Sequence, residues 1–359
     1  MFLSRPRPAP IGRPIVAFLP VLRIRAAGDS SRGAGTPDQV SAAAGLAPRT
    51  RFRQHGYTAG VLRLLMSYRS GFRPGLFDGQ TILITGGGGG LGRCIAHELA
   101  ALGARMILVG RTMEKLDRTA DEIEEDGGEV LGCYSLELRD ENEVTELVTL
   151  VIDRHGPVDA LVNAAGGQFP AQLEDLSLRA WNAVLNNNLT SYFLTAREIY
   201  RQCMAELGGN IVHIGADYHR GMAGMGHNGA ARAGLANLTM TSAAEWAPAG
   251  VRVNCIIPGF IATTGLDRYP ESARDALRSV SNDVPLQRHG TAAEVSAATV
   301  FLLSDMAAYV TGIELRVDGG AHIGARSFLF DPAPPRNQQV FDGFHREERA
   351  RLLSDGEWK

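Results

Sequence analysis

Five consecutive glycines, Gly86 to Gly90, followed by Leu91 and Gly92, separate a β-rich run, Thr81-Ile-Leu-Ile-Thr85, from a stretch in which Ile95, Leu99 and Leu102 fall at i, i+4 and i+7. Each glycine costs roughly 0.5–1 kcal/mol relative to alanine in regular structure, so a run of this length belongs where side chains would be in the way. Between a strand and an amphipathic helix it marks a turn that brings backbone close to an anion, because the first N–H groups of a helix have no partner of their own. Gly86, Gly90, Leu91 and Gly92 are therefore expected to cradle a pyrophosphate, with Gly87, Gly88 and Gly89 supplying flexibility alone.

The same alternation continues along the chain. Met106-Ile-Leu-Val109 reads as a strand, Val144, Leu147, Val148 and Val151 as the apolar stripe of a helix closed by Gly156, and Ala160-Leu-Val162 and Asn210-Ile-Val-His-Ile214 as further strands. Val251-Arg-Val-Asn-Cys-Ile-Ile257 and Ile313-Glu-Leu-Arg-Val317 complete the series. Short apolar strands alternating with helical periods predict an α/β fold, a single Rossmann-type doubly wound parallel sheet with helices on both faces. Its expected limits are residues 66–325.

The flanks differ in kind. Residues 1–65 carry seven prolines, many arginines, and Asp29 and Asp38 as their only acids. This composition predicts a disordered segment or an over-extended reading frame with Met66 as the natural start; that many prolines argue against an amphipathic targeting helix. Residues 326–359 form a tail in which Val340, Phe341, Phe344 and Leu352 suggest an amphipathic helix able to cap a neighbouring subunit. The chain ends Glu-Trp-Lys, which is not the S-K-L peroxisomal address.

Bulk properties exclude several functions. A net charge of −3 gives no basic field for nucleic acid. No run reaches the ~20 apolar residues of a membrane span, so a soluble protein is expected. Cys94, Cys133, Cys203 and Cys255 are scattered without a C-x-x-C pair, so neither a disulfide framework nor a metal site is suggested, and a cytoplasmic location follows.

Cofactor choice is read at the end of the second strand, Val109-Gly110-Arg111. The acid that would hold a free ribose 2′-hydroxyl ~20 residues beyond the glycine turn is missing. Arg111, with Arg93 beside the turn, suits a 2′-phosphate, so NADP(H) is expected ahead of NAD(H).

These motifs, in this order, resemble the short-chain dehydrogenase/reductase family over about 250 residues. The glycine turn resembles that family's T-G-x-x-x-G-x-G, Asn163-Ala164-Ala-Gly166 its N-N-A-G, and Asn188-Leu-Thr190 its active-site asparagine segment. Pro258-Gly259-Phe-Ile261-Ala-Thr263 resembles the P-G-x-x-x-T that meets the nicotinamide amide, and Glu137 with Leu138 stands where the family contacts adenine. Ala165-Gly-Gly-Gln-Phe169 and Gly229-Ala-Ala-Arg-Ala-Gly234 bring the likeness nearest to peroxisomal-type enoyl-CoA and dienoyl-CoA reductases and to bacterial proteins of acyclic-terpene alcohol breakdown. The resemblance also implies a homo-oligomer, a tetramer or dimer, built on the helices after the fourth and fifth strands.

The catalytic positions depart from the pattern. The family's Y-x-x-x-K falls on Asn228-Gly-Ala-Ala-Arg232, and its serine on Gly215-Ala216. Asn228 cannot titrate, whereas Arg232 still carries charge and can hold ribose hydroxyls. Tyr218, ten positions before Asn228, is the candidate relocated acid, with His219 and His227 as further proton donors. Reduction of an activated C=C needs donors for an enolate oxygen more than a base, so the set Asn188, Tyr218, Asn228 and Arg232 points to NADPH-dependent reduction of a 2-enoyl thioester. The alternatives are an alcohol or carbonyl dehydrogenase of terpenoid or aliphatic substrates, and a non-catalytic dinucleotide-binding protein. The segment Thr264 to Arg288 is expected to cover the substrate, with Arg268, Arg274 and Arg278 near any CoA phosphates.

Overall fold

In the computed structural model, residues 67–324 and 336–353 are described. The expectations for residues 1–65 and for a start at Met66 lie outside them. Seven parallel strands form one sheet: β1 (Thr81–Thr85), β2 (Arg105–Gly110), β3 (Glu129–Ser135), β4 (Ala160–Asn163), β5 (Gly209–Ile214), β6 (Val251–Pro258) and β7 (Glu314–Val317). Their order is β3-β2-β1-β4-β5-β6-β7, so the chain winds outward in one direction from β1 and then in the other from β4. The doubly wound Rossmann-type expectation is met, and because every strand is parallel, the segments leaving them gather at one edge.

Strand composition explains the burial. Ile82 and Ile84 of β1 enter one core and Leu83 the other; Met106 and Leu108 of β2 oppose Ile107 and Val109 in the same way. Strands covered on both faces need apolar residues at every position, which is why these runs do not alternate with polar ones. Burying such a side chain stabilises by roughly 1.5–3 kcal/mol, so β1 alone offsets the cost of the glycine turn that follows it.

The helices α1 (Gly90–Ala101), α2 (Met113–Glu125), α3 (Glu141–His155), α4 (Leu178–Leu185), α5 (Ser191–Ile199), α6 (Gly226–Trp246), α7 (Arg274–Ser279) and α8 (Ala292–Leu303) cover the sheet or the loops at its edge. Asp140 caps α3 by accepting from the N–H groups of Asn142 and Glu143, and Gly156 ends it at φ +83°. Thr291 and Glu294 form a reciprocal capping box on α8. β3 and α2 were not picked out in the sequence: β3 is an edge strand of mostly half-buried residues and lacks the uninterrupted apolar run of the central strands.

The tail departs from the expected helix. Residues 336–350 form no helix, and a single short 3₁₀ turn follows at Arg351–Leu353. Two of its apolar residues are used on this same domain: Phe344 and Leu352 are buried, and Phe344 stacks on Tyr68 at 5.7 Å and lies under the Arg93 guanidinium at 5.1 Å. Among the bonds that fasten it are those from the Thr291 hydroxyl to the Phe341 carbonyl at 2.7 Å and from Arg278 to the Leu352 carbonyl at 2.6 Å. An irregular segment can bury alternate side chains as effectively as a helix when its backbone groups find partners on the domain.

Candidate active site

The glycine turn leaves β1 at Gly86, whose φ of +75° disfavours any L side chain; a Cβ there would also lie 2.8 Å from the Ala165 nitrogen. At Gly92 a Cβ would come within 2.3 Å of the Gly86 carbonyl oxygen, so the first turn of α1 can seat against the strand end only with glycine. Gly88 corrects the reading of mere flexibility, because a Cβ would meet that of Lys115 at 2.9 Å and push α2 away. At Gly89 and Gly90 an added Cβ meets nothing within 4 Å. Helix α1 has no side-chain N-cap and no acid in its first turn. Open space in front of uncapped N–H groups fits a pyrophosphate.

Arg111 is exposed where β2 ends, and its side chain bonds to no described residue. Arg93 does not share its expected role. It is buried, pairs with Glu122 at 2.7 Å and donates to the Arg346 carbonyl at 3.0 Å, so it anchors the tail and does not face the turn. Burial would push the carboxyls of Glu122 and Asp126 up, but hydrogen bonds from His97 and, respectively, from Arg93 and Arg346 outweigh it and hold each at about 2. Glu137 pairs with Arg139, and the Leu138 side chain belongs to the core.

Asn163 ends β4 with its amide fully engaged. It accepts from the hydroxyls of Thr195 at 2.8 Å and Thr85 at 3.3 Å and donates to the Tyr192 carbonyl at 3.4 Å, so its side chain fastens β1, β4 and α5 together and is turned away from the open edge. The Thr85 hydroxyl lies 3.2 Å from the N–H groups of Ala164 and Ala165. After β6, Gly259 packs so tightly on Asp318 that a Cβ would lie 2.7 Å from its Cα. Ile261 is buried beyond Pro258, and the Thr263 hydroxyl is bonded to no described residue.

The catalytic set converges in part. Asn188 lies in a π-helical turn, Asn186–Thr190, between α4 and α5, and such turns re-aim one side chain without breaking the helix. Its Nδ2 donates to the Gly167 carbonyl at 3.0 Å and to Asn228 Oδ1 at 2.8 Å, while its Oδ1 accepts from the Gly167 N–H at 3.0 Å. Both Asn188 hydrogens are thus committed, which removes it as an oxyanion donor. Asn228 donates only to the Met222 thioether, at 3.6 Å, a weak acceptor.

Arg232, one turn along α6, donates to the Ile214 carbonyl at 3.0 Å and stands 5.6 Å over the Tyr192 ring; its Nε has no partner among the described residues. A Cβ on Gly166 would lie 3.0 Å from the Arg232 guanidinium and 3.2 Å from Asn188 Oδ1, so that glycine keeps the space between them open. Asn188, Asn228, Arg232 and Gly166 therefore form one centre.

Tyr218 stands apart from it. Its hydroxyl donates to Glu314 on β7 at 3.3 Å, its ring stacks on His219 at 4.3 Å, and burial followed by the Glu314 carboxylate raises its pKa. Its hydroxyl is thus engaged by Glu314 and bonds none of Asn188, Asn228 and Arg232. The sequence reading missed Tyr192, fully buried beneath Arg232 and donating to the same Ile214 carbonyl at 3.1 Å. Spacing could have found it, because Tyr192 is four residues after Asn188 and so on the same helical face. His213, also beneath the centre, is held neutral with its pKa lowered to about 3 by burial and then by Arg232.

A parallel sheet with a glycine cradle, an uncapped helix and a buried arginine at its carboxyl edge defines a dinucleotide-binding protein. The sequence profile of the family described as Enoyl-(Acyl carrier protein) reductase matches residues 86–322. A probable 2,4-dienoyl-CoA reductase of Bacillus subtilis is 34% identical over 69% of this chain and 99% of its own length. Among solved structures, the citronellol catabolism dehydrogenase of Pseudomonas aeruginosa is 50% identical over 71% of this chain and 99% of its own, with a TM-score of 0.63. A putative NAD(P) dependent gluconate 5-dehydrogenase from Beutenbergia cavernae with bound NADP is 32% identical over 70% of this chain and 100% of its own, with a TM-score of 0.66. The chain belongs to the short-chain dehydrogenase/reductase family and is an NAD(P)-dependent oxidoreductase.

Proposed function

We propose that this protein is an NADPH-dependent reductase of 2-enoyl thioesters. The observation that carries the reading is Asn228 in the tyrosine position, buried and bonded to Asn188, with Arg232 in the lysine position. Neither amide of that trio can act as a proton acid or base. Oxidising an alcohol requires a base on the hydroxyl, whereas a conjugated double bond requires an electrophilic β-carbon and donors for the enolate oxygen, with protonation following from solvent. The likeness to a probable dienoyl-CoA reductase agrees with this choice.

NADPH fits the residues present and supplies the hydride for the β-carbon. In this reading the open backbone of Gly86 to Gly92 and the first turn of α1 hold the pyrophosphate, and Arg111 takes the 2′-phosphate. Arg232 holds the nicotinamide ribose, Thr263 the carboxamide, and the Asn228 amide donates toward substrate. The four cysteines are free, in keeping with a reducing cytoplasm. Exposed Phe193 and Met240 on α5 and α6 support a homo-oligomer through those helices.

The 50% identity to a citronellol catabolism dehydrogenase favours a second reading, oxidation of a terpenoid alcohol. One assay separates them: NADPH absorbance is followed with crotonyl- and hexenoyl-CoA, and NADP reduction with citronellol. Consumption of NADPH on the enoyl esters is expected. Turnover of citronellol alone replaces the proposal with the dehydrogenase, and NADPH binding without turnover on either panel replaces it with a non-catalytic binder.

A further inference from the structure

His227 begins the second residue of α6, immediately before Asn228, and is completely buried. Neither of its ring nitrogens has a hydrogen-bond partner among the described residues. A neutral imidazole has one N–H donor and one acceptor, and leaving a buried group of this kind unmet costs roughly 1–3 kcal/mol. Such a cost is kept where something else completes the bond.

The surroundings indicate what completes it. The ring is covered edge-on by Phe169 at a centroid distance of 4.8 Å, and Phe169 is itself 41% exposed on the loop that follows β4. That loop lies along the start of α6: the Ala171 N–H donates to the Gly224 carbonyl at 2.8 Å, and a Cβ on Gly226 would touch the Leu173 side chain at 2.9 Å. Tyr269, from the segment after β6, reaches over the same place, where its hydroxyl accepts from Gln168 at 3.2 Å and donates only to the Met225 thioether at 3.8 Å. Phe169, Leu173, Met222 and Met225 therefore make an apolar wall beside three donors, on His227, Asn228 and Tyr269, that are unmet or spent on sulfur. An alkyl chain headed by a carbonyl matches that wall and those donors.

We propose that His227 is a catalytic residue that donates a hydrogen bond to the carbonyl oxygen of a bound acyl thioester, and that Phe169 is the side chain displaced to admit it. The thioester identity rests on the reductase reading above. As the β-carbon is reduced, the electron pair of the C=C bond moves to form the enolate and charge collects on that oxygen. The His227 N–H stabilises the charge, and solvent supplies the proton that closes the α-carbon. Removing a donor of this type lowers turnover by about 10²–10³-fold.

The experiment combines a contact readout with turnover. Protein labelled with 15N in histidine is titrated with butyryl-CoA, a thioester that cannot be reduced, in the presence of NADP, and the His227 ring signals are assigned with His227→Gln. Turnover on crotonyl-CoA and NADPH affinity are measured for wild type, His227→Leu, His227→Gln and Phe169→Ala. We expect the His227 ring nitrogens to shift on butyryl-CoA and kcat to fall about a hundredfold in His227→Leu, with partial recovery in His227→Gln and NADPH affinity unchanged in both. Phe169→Ala is expected to shift the same signals before any ligand is added. Ring signals that ignore butyryl-CoA overturn the proposal, whatever the variants do to turnover, and identify a ring satisfied by buried water alone. A shift in a protein that reduces no enoyl ester retires the reductase reading and leaves the contact standing, while reduction without a shift does the reverse.

Discussion

The two halves of the sheet edge are built from different materials. Around β1 and β2 the surface is backbone: Gly86, Gly88 and Gly92 are placed so that main-chain atoms of the turn, α1 and α2 meet one another, and the face left over is open N–H. Around β4, β5 and α6 it is buried side chains: Asn188, Asn228, Arg232, Tyr192 and His213 reach one another from a π-helical turn, two helices and a strand. A site made of backbone depends on the absence of side chains and is read position by position. One made of interlocked amides and rings depends on which hydrogen bonds are already used, and there a residue's type says little about its role until its partners are known.

Gly92→Ala is the largest expected break in the first half. Its methyl would sit 2.3 Å from the Gly86 carbonyl, and shifting α1 by about 1 Å should weaken NADPH binding by about a hundredfold or more, measured by fluorescence titration. Gly89→Ala, whose added methyl meets nothing within 4 Å, should leave thermal stability unchanged, so that any loss of NADPH affinity there reports the methyl entering the space kept for the pyrophosphate.

The two arginines assigned to the cofactor should then separate. Arg93→Ala takes one of two buried partners from Glu122, His97 remaining, and frees the Arg346 carbonyl, and should cost about 1–3 kcal/mol of stability with no change in the preference for NADPH over NADH. Arg111→Ala should raise the KM for NADPH at least about tenfold through loss of a charge-assisted bond, leave NADH use unchanged, and unfold with the wild type. Equal effects of the two substitutions would return Arg93 to the cofactor site.

Acid should act on the second half through His213. Its folded pKa of about 3 lies below the ordinary histidine value of about 6.5, so the unfolded chain binds the proton that the folded one refuses. The contribution is intact above pH 6.5 and is lost as pH falls toward 3, by up to roughly 1.4 kcal/mol per pH unit. Thermal unfolding between pH 7 and 4.5 should therefore decline more steeply for wild type than for His213→Gln. The smallest effect is expected from Tyr218→Phe, because its hydroxyl serves Glu314 and lies outside the Asn188, Asn228 and Arg232 centre. Turnover should change by less than about twofold, and a collapse in kcat would restore Tyr218 as the acid.

Local sequence determined whatever depends on local spacing. The central apolar strands, the glycine turn before α1, the helix stop at Gly156, and the replacement of the usual tyrosine and lysine by Asn228 and Arg232 were all legible, because strand burial, turn geometry and motif position repeat at fixed intervals along a chain. Partnership across the fold was not legible. Only the tertiary structure gave Arg93 to Glu122 and the tail, committed both hydrogens of Asn188, turned Tyr218 toward β7, and left the His227 ring under Phe169 without a partner. The physical reason is that a side chain's chemistry depends on which of its hydrogen bonds are already made and on how far it is removed from water, and both are set by residues 21 to 253 positions away in the chain.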